Sequence, residues 1–167
     1  YRSFAEEDAA IPVIAGRKSE NEKFAGALRT YSIEAMMGDG KALQSGTSHN
    51  LGNNFAKSFD IQFLDADGQR KYCSTTSWGM STRMIGGLIM VHGDKSGLIV
   101  PPRLAPYQVV IVPIWRKEKE REAVDELVTR VEKMLKGKIR VKVDRTDNTP
   151  GWKYNEWEMR GVPVRME

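Results

Sequence analysis

The pattern of apolar and polar positions divides the first two thirds of the chain into short elements. Residues 30–37 alternate as a half-buried strand does, and residues 61–64 and 71–75 flank a turn-forming segment, which predicts a hairpin. A capping-box spacing predicts a short helix over 19–28. A second helix is predicted to begin near His49, because apolar residues recur there at every fourth position.

A different order of elements follows the proline-rich residues 101–106, which interrupt regular structure. Residues 109–114 are continuously apolar and predict a strand buried on both faces. Residues 117–136 carry the single apolar stripe of an amphipathic helix. The remaining predicted elements are a strand over 139–143, a helix over 152–160 and a strand over 162–166. This order predicts a small α/β domain with a largely parallel or mixed sheet.

Composition narrows the class of protein. The chain has 167 residues, 40% of them hydrophobic, with 26 basic and 22 acidic residues and a net charge of +4. It is long enough for one medium domain or two small ones. A single cysteine and two histidines exclude a disulfide framework and a multi-cysteine zinc site. The chain has no signal-peptide pattern and no apolar run of the roughly 20 residues that span a bilayer, which predicts a soluble, cytoplasmic protein with no membrane partner.

Small and hydroxyl-bearing residues over 44–49 form the first candidate site. The pattern predicts a loop between a strand and the helix at His49, where a ligand can approach the backbone closely. A helix N-terminus also offers free N–H groups to an anion. A helix cap formed by Thr47 or Ser48 explains the same residues without a ligand, so both interpretations stay open.

Arg83 is the second candidate. It follows the extended residues 77–82 and precedes an apolar run whose periodicity fits either a helix or a strand. A planar guanidinium at the end of an element suits a base or a phosphate oxygen. A surface ion pair is the ordinary alternative for Arg83, and Trp78 nearby is more often a core residue than a ligand contact.

Basic and aromatic residues alternate in the last part of the chain, which suits unpaired RNA because bases stack on aromatic rings while cations meet phosphates. The basic residues singled out as candidate RNA contacts are Lys142, Arg145, Lys153 and Arg160, among Trp152, Tyr154 and Trp157. A hydrophobic helix face with solvated charges accounts for the same pattern equally well.

Three stretches, taken in order, resemble prolyl-tRNA synthetase of the archaeal/eukaryotic-like form. They are residues 42–52 (ALQSGTSHNLG), residues 76–83 (TSWGMSTR), and residues 91–94 (VHGD) with 97–103 (GLIVPPR). Each stretch is weak evidence by itself. Together they are specific, because the resemblance extends from about residue 11 to the last residue.

The resemblance implies a class II synthetase, which joins proline to ATP as prolyl-adenylate and then transfers the prolyl group to tRNA(Pro). ATP, Mg²⁺ and a homodimer in the intact protein are implied with it. Residues 1–106 resemble the C-terminal half of the α+β, antiparallel-sheet catalytic domain, including its third class motif. Residues 107–167 resemble the start of the α/β anticodon-binding domain, which implies that the four basic residues singled out above are tRNA contacts.

The resemblance also implies roles for residues at matching positions. Arg83 is implied to be the catalytic arginine of the third motif, which holds ATP. The other implied ATP contacts are Gln44, Thr47 and Ser81. The implied proline contacts are His49, Ser77, Trp78 and Gly79. No covalent nucleophile and no protein-held metal are implied among these residues.

The chain departs from the family at its ends. It starts without Met and stops in what looks like a strand, and the first two class motifs have their place upstream of Tyr1. We therefore expect a fragment that is inactive on its own. The alternatives are a non-catalytic tRNA- or nucleotide-binding module on the same scaffold, or a sister class II synthetase. The joint presence of Gln44, Thr47, His49 and Arg83 favours the enzyme.

Overall fold

The chain forms two compact units in the computed structural model, which describes residues 1–167. The first unit comprises Tyr1–Glu7 and Ile11–Val91, and the second comprises Asp8–Ala10 and His92–Glu167. No helix in either unit has the length and apolar character that crossing a membrane requires.

The first unit is built on a four-stranded antiparallel sheet. Its elements, after one turn of π-helix at Phe4–Asp8, are β1 (Ile14–Arg17), β2 (Arg29–Met36), β3 (Ala42–Gly52), α1 (Asn54–Ser58), β4 (Gln62–Leu64), β5 (Arg70–Tyr72), β6 (Thr75–Gly79) and α2 (Arg83–His92). The strand order is β1-β2-β3-β6, and β4 and β5 form a separate hairpin. This antiparallel arrangement confirms the predicted α+β class for this part of the chain.

The predicted helix over 19–28 is wrong. These residues form turns, in which Gly26 has a φ of +85° and the Lys23 ammonium lies 2.7 Å from the Glu20 carboxylate. The capping-box spacing is a weak signal because the first five residues of the segment are all polar and Gly26 interrupts the apolar residues that follow. Its final residues lead directly into β2.

The predicted loop at 44–49 and the helix at His49 are also wrong. These residues lie within β3, and α1 begins only at Asn54. Strand β3 pairs with β2 on one side and β6 on the other, so its backbone groups are hydrogen-bonded despite its small side chains. An irregularity in the β2–β3 register opposite Ile33 and Glu34 gives the strand a bulge there.

The second unit contains a three-stranded parallel sheet in the order β10-β9-β11. Its elements are β7 (Gly93–Asp94), β8 (Gly97–Leu98), β9 (Val109–Ile111), a 3₁₀ turn (Glu118–Glu120), α3 (Arg121–Leu135), β10 (Val141–Val143), α4 (Pro150–Met159) and β11 (Val164–Met166). The predicted α/β order is therefore confirmed.

The two helices cover opposite faces of this sheet. Val109 and Ile111 share a core cluster with Val128 of α3, whereas Val110 and Val112 pack with Trp157 of α4. Alternate residues of β9 thus enter two different cores, which explains the continuously apolar sequence of this strand. The proline-rich segment before it belongs to the same unit, where the Arg140 guanidinium donates to three of the segment's carbonyl oxygens.

Candidate functional site

One cavity of about 380 Å³ in the first unit collects the residues predicted for ATP and proline. It lies where β3 and β6 meet the start of α2. The eight predicted residues that line it are Gln44, Thr47, His49, Ser77, Trp78, Gly79, Ser81 and Arg83, joined by Ser45, Gly46 and Met80. The sequence placed these residues in two separate stretches, and the pairing of the strands brings them together.

The strand register explains this convergence. Thr47 lies opposite Gly79, and His49 lies opposite Ser77, in the antiparallel β3–β6 pair. Residues two apart on a strand face the same side of the sheet, so the four positions share one face. The absence of a side chain at Gly79 leaves space beside Thr47.

Arg83 is the only formally charged residue that lines the cavity. It is the first residue of α2, and its backbone N–H donates to the Ser81 hydroxyl at 3.3 Å. Its Nη1 donates to the Gln44 carbonyl oxygen over a long 3.4 Å, and it forms no ion pair. An exposed guanidinium without a carboxylate partner is available to an anionic ligand.

His49 is held from behind by two neighbours. Its Nδ1 lies 3.0 Å from the Thr30 hydroxyl, which is buried in β2, and its ring lies 4.9 Å from the Phe24 ring, centroid to centroid. Sequence reasoning missed both neighbours. The alternation of β2 gives no signal for Thr30, because it assigns the apolar residues at 31, 33 and 35 to the buried face, whereas the structure buries Thr30 and Ser32.

Trp78 borders the cavity without being enclosed by it. The residue is 67% exposed, and its ring lies 6.2 Å from the Tyr1 ring, centroid to centroid. It is in register with Ser48, so its side chain alternates to the face opposite Ser77 and Gly79. Trp78 nevertheless contributes to the lining of the cavity.

Lys153, one of the four predicted tRNA contacts, is buried. Its side chain is 5% exposed, and its Nζ donates to the Asp144 carbonyl oxygen at 3.3 Å and lies 3.9 Å from the Asp144 carboxylate. An ammonium in this position stabilises the interior of the second unit and does not lie on a surface that could meet phosphates. The sequence pattern missed this because Asp144, its partner, is nine residues away.

Asp144 is the centre of this buried network. Its carboxylate accepts hydrogen bonds from the Thr146 backbone N–H at 3.0 Å, the Thr146 hydroxyl at 2.6 Å and the Trp157 indole at 2.7 Å. Burial by itself raises the pKa of this carboxyl, but these hydrogen bonds and the charge of Lys153 outweigh it, and the pKa lies below its usual value.

The other three predicted tRNA contacts are exposed. Lys142 lies on β10 and makes no ion pair. Arg145 donates to the Asp125 carboxylate of α3 at 3.1 Å, and Arg160 lies 2.5 Å from the Glu156 carboxylate. Of the three, Lys142 alone has a charge that no carboxylate neutralises.

Neither unit contains a group of three or more His, Cys, Asp or Glu residues arranged to hold a metal ion. The cavity lining has no carboxylate at all, although carboxylate oxygens are the protein ligands that Mg²⁺ prefers. The lining residues suit the phosphates of a nucleotide, but they do not fit a Mg²⁺ ion held by the protein.

Comparison with known proteins shows what this chain is similar to. Residues 108–167 match the family described as anticodon binding domain, which is the anticodon-binding module of class II aminoacyl-tRNA synthetases. The whole chain is homologous to proline–tRNA ligases, as the resemblance in the sequence indicated. It is 63% identical to the proline–tRNA ligase of Natranaerobius thermophilus, 61% to that of Roseiflexus castenholzii and 60% to that of Chloroflexus aggregans.

These alignments cover 100% of this chain but only 35% of each of these three relatives. The chain therefore spans about a third of the length of the curated relatives that it matches. Identity of this level over every element described above extends the fold of both units to those relatives.

Proposed function

We propose that this chain is part of a proline–tRNA ligase, which activates proline with ATP and transfers the prolyl group to tRNA(Pro). Residues 1–106 are proposed as the C-terminal half of the catalytic domain and residues 107–167 as the N-terminal part of the anticodon-binding domain. The observation that carries the proposal is the convergence of all eight predicted substrate-binding residues on one cavity with a single positive charge.

The nucleotide is proposed to bind along the Arg83 side of the cavity. The guanidinium can hold phosphate oxygens, and Gln44, Thr47 and Ser81 offer amide and hydroxyl groups to the rest of the nucleotide. The lack of an ion pair at Arg83 supports this role, because a carboxylate partner would compete with the phosphates.

Proline is proposed to bind between His49, Ser77 and Gly79, with Trp78 at the rim. The small residues of β6 leave room for a compact ring beside the strand. The fixed imidazole of His49 offers one polar group to the amino acid, so that shape and one directed hydrogen bond act together.

Activation requires no nucleophile from the protein. A proline carboxylate oxygen attacks the α-phosphorus of ATP, the bond to the bridging oxygen breaks, and pyrophosphate leaves with that oxygen's electron pair. A ribose hydroxyl of the tRNA then attacks the prolyl carbonyl, loses its proton and displaces AMP. The residues of this chain hold the reactants in line, and Arg83 stabilises phosphate charge in the transition state. No step is assigned to Mg²⁺, because the cavity lining has no carboxylate to hold it.

The second unit is proposed to bind tRNA through surface cations, of which Lys142 is the most available and Arg145 and Arg160 are further contacts. The match of residues 108–167 to an anticodon-binding family supports this assignment. Lys153 is omitted because it is buried. A homodimer and a cytoplasmic location follow from the same proposal.

A panel of amino acids tests this function. The gene product that carries this sequence is melted with ATP and each amino acid in turn, because a ligand that binds only the folded state raises Tm. Proline is expected to raise Tm more than alanine, cysteine or serine. A larger shift with another amino acid indicates a sister synthetase, and a shift with ATP or tRNA but with no amino acid indicates a non-catalytic binding module.

A further inference from the structure

A buried hydroxyl stands directly behind the imidazole that lines the cavity. Thr30 of β2 is 1% exposed and lies in register with His49 of β3. Its Oγ1 lies 3.0 Å from Nδ1 of His49. The same oxygen accepts a hydrogen bond from the backbone N–H of Phe24, also at 3.0 Å.

The hydrogen-bonding capacity of a threonine hydroxyl decides which ring nitrogen carries the proton. The hydroxyl has one hydrogen to donate and two lone pairs that accept. One lone pair is used by the N–H of Phe24. If Nδ1 of His49 also donated, the buried Thr30 hydrogen would have no acceptor, and a buried donor without a partner is destabilising. If Thr30 donates to Nδ1, both contacts are satisfied.

We propose that Thr30 is a positioning residue that holds His49 in the neutral tautomer with its hydrogen on Nε2. His49 then offers an N–H donor to the cavity and takes an acceptor atom of the ligand. If the cavity binds an amino acid, as proposed above, that acceptor is a carboxylate or acyl oxygen. The tautomer itself does not depend on the identity of the ligand.

The surroundings of the ring support a fixed orientation. The Phe24 ring packs against the imidazole at 4.9 Å with an interplanar angle of 41°, and the backbone of Phe24 satisfies Thr30. One turn residue therefore restrains both members of the pair. Together with Arg83, the N–H of His49 gives the cavity two directed donors, which suits a ligand rich in acceptor oxygens.

Two substitutions distinguish the effect of the Thr30 hydroxyl from the effect of the size and branching of the side chain. Thr30→Val keeps the size and branching of the side chain and removes the donor, whereas Thr30→Ser keeps the donor and removes a methyl group. The readout is the ¹⁵N NMR spectrum of the two imidazoles in mildly alkaline buffer, which distinguishes a protonated from an unprotonated ring nitrogen. The only other histidine, His92, serves as an internal reference, since its Nε2 contacts the Ala9 carbonyl oxygen at 2.8 Å.

The wild-type chain and Thr30→Ser are expected to show His49 protonated at Nε2 and not at Nδ1. Thr30→Val is expected to show a mixture of the two tautomers, with the spectrum of His92 unchanged. Protonation of His49 at Nδ1 in the wild-type chain overturns the proposal, and so does an unaltered tautomer in a folded Thr30→Val. If Thr30→Val does not fold, the spectra of the wild type and Thr30→Ser decide.

A kinetic measurement on the gene product distinguishes this proposal from the proposed function. In proline-dependent ATP–pyrophosphate exchange, Thr30→Val is expected to raise KM for proline on the order of tenfold with little effect on KM for ATP, and Thr30→Ser is expected to restore it. If Thr30→Val leaves the kinetics of exchange unchanged, the positioning role is refuted, and the proposed function is unaffected. If the wild type catalyses no exchange, the proposed function is refuted, but the tautomer of His49 found by NMR still stands.

Discussion

At the scale of single residues, the isolation of Arg83 is the feature that most directly indicates chemistry. Several exposed arginines of this chain are neutralised by a nearby carboxylate, as Arg121 is by Glu118 at 3.1 Å. Arg83 has only a long hydrogen bond to the Gln44 backbone. Its side chain therefore contributes little to the stability of the first unit and is free to bind phosphate.

Removal of the Arg83 guanidinium is expected to weaken the use of ATP much more than the binding of proline. In the gene product, Arg83→Ala should raise KM for ATP or lower kcat/KM about 10- to 100-fold, because a charge-assisted hydrogen bond of about 1.5–3 kcal/mol is lost. The effect on proline binding should be much smaller. Steady-state exchange kinetics with each substrate varied in turn measure both.

Arg83→Lys is the matched control, since it keeps the charge and loses the planar fork. It should be intermediate between wild type and Arg83→Ala. Equal losses for ATP and proline in Arg83→Ala would contradict the assignment of Arg83 to the nucleotide.

A second prediction at the residue scale concerns the contribution of Asp144 to stability rather than to catalysis. Its pKa is lowered in the folded protein, so its contribution to stability is present above its unfolded pKa of about 3.9 and is lost as pH falls through the lower folded pKa. Asp144→Asn should destabilise the protein near neutral pH by about 1.5–3 kcal/mol, because charged hydrogen bonds are lost. The difference from wild type should shrink below about pH 4.

Denaturant unfolding of both proteins over a pH series measures this difference. Asp125→Asn is a control of the same chemistry on the exposed surface of α3, where a salt-bridged carboxylate contributes about 0–1 kcal/mol. If the difference in free energy of unfolding between Asp144→Asn and wild type stays constant down to acidic pH, the ionised carboxylate is not what stabilises the network.

At the scale of elements, Gly161 joins α4 to β11 in a conformation that other residues rarely adopt. Its φ is +67°, and its backbone oxygen accepts a hydrogen bond from Val100 N–H at 3.0 Å. A Cβ at this position would lie 2.7 Å from the Leu98 carbonyl oxygen and 2.7 Å from the Val100 side chain. The glycine therefore permits both the turn and the close approach of residues 98–100.

Gly161→Ala is expected to destabilise the second unit by more than 1 kcal/mol, approximately the cost of forcing a residue with a Cβ into this region. Gly151→Ala is the matched control, because Gly151 lies inside α4 with open space around it, and alanine there should be neutral or stabilising by up to about 1 kcal/mol. Thermal melts compare the two. Similar effects of both substitutions would contradict the close packing at Gly161.

The elements also show how far the sequence could be interpreted. Strand β9 and helix α3 were predicted correctly because each carries a pattern that its own residues determine. Strand β3 was predicted as a loop and a helix start, since small residues without alternation carry no strand signal. Its conformation is imposed by its hairpin partner β2 and by the more distant β6, which hydrogen-bond to it on opposite sides.

At the scale of the whole molecule, the two units divide the proposed work between substrate activation and tRNA binding. The cavity residues could be identified from the sequence because the resemblance placed them, and their convergence depends on a register that no local pattern encodes. The tRNA contacts were chosen by charge alone. Charge alone cannot distinguish Lys142, which has no ion pair, from Lys153, which is buried on Asp144.

Charge reversal in the second unit should weaken tRNA binding without affecting adenylate formation. Lys142→Glu is expected to lower affinity and to reduce the slope of log affinity against log salt by about one, because a phosphate contact releases about one counterion. Arg145→Glu should add to this effect, but it also places a second negative charge beside Asp125. Binding titrations over a range of salt concentration measure the slope.

Lys133→Glu is the control for this experiment, since it reverses a charge on the exposed surface of α3. It should leave the slope close to that of wild type. If Lys142→Glu and Lys133→Glu have the same effect, the interaction depends only on net charge, and the proposed contact at Lys142 is refuted.

The most direct test of the central claim is proline-dependent ATP–pyrophosphate exchange, measured on the gene product that carries these 167 residues. The account predicts exchange that requires proline and that Arg83→Ala reduces about 10- to 100-fold, because the cavity holds the nucleotide through that guanidinium. Folded protein that catalyses no exchange with proline, or exchange that is unaffected by Arg83→Ala, would contradict it.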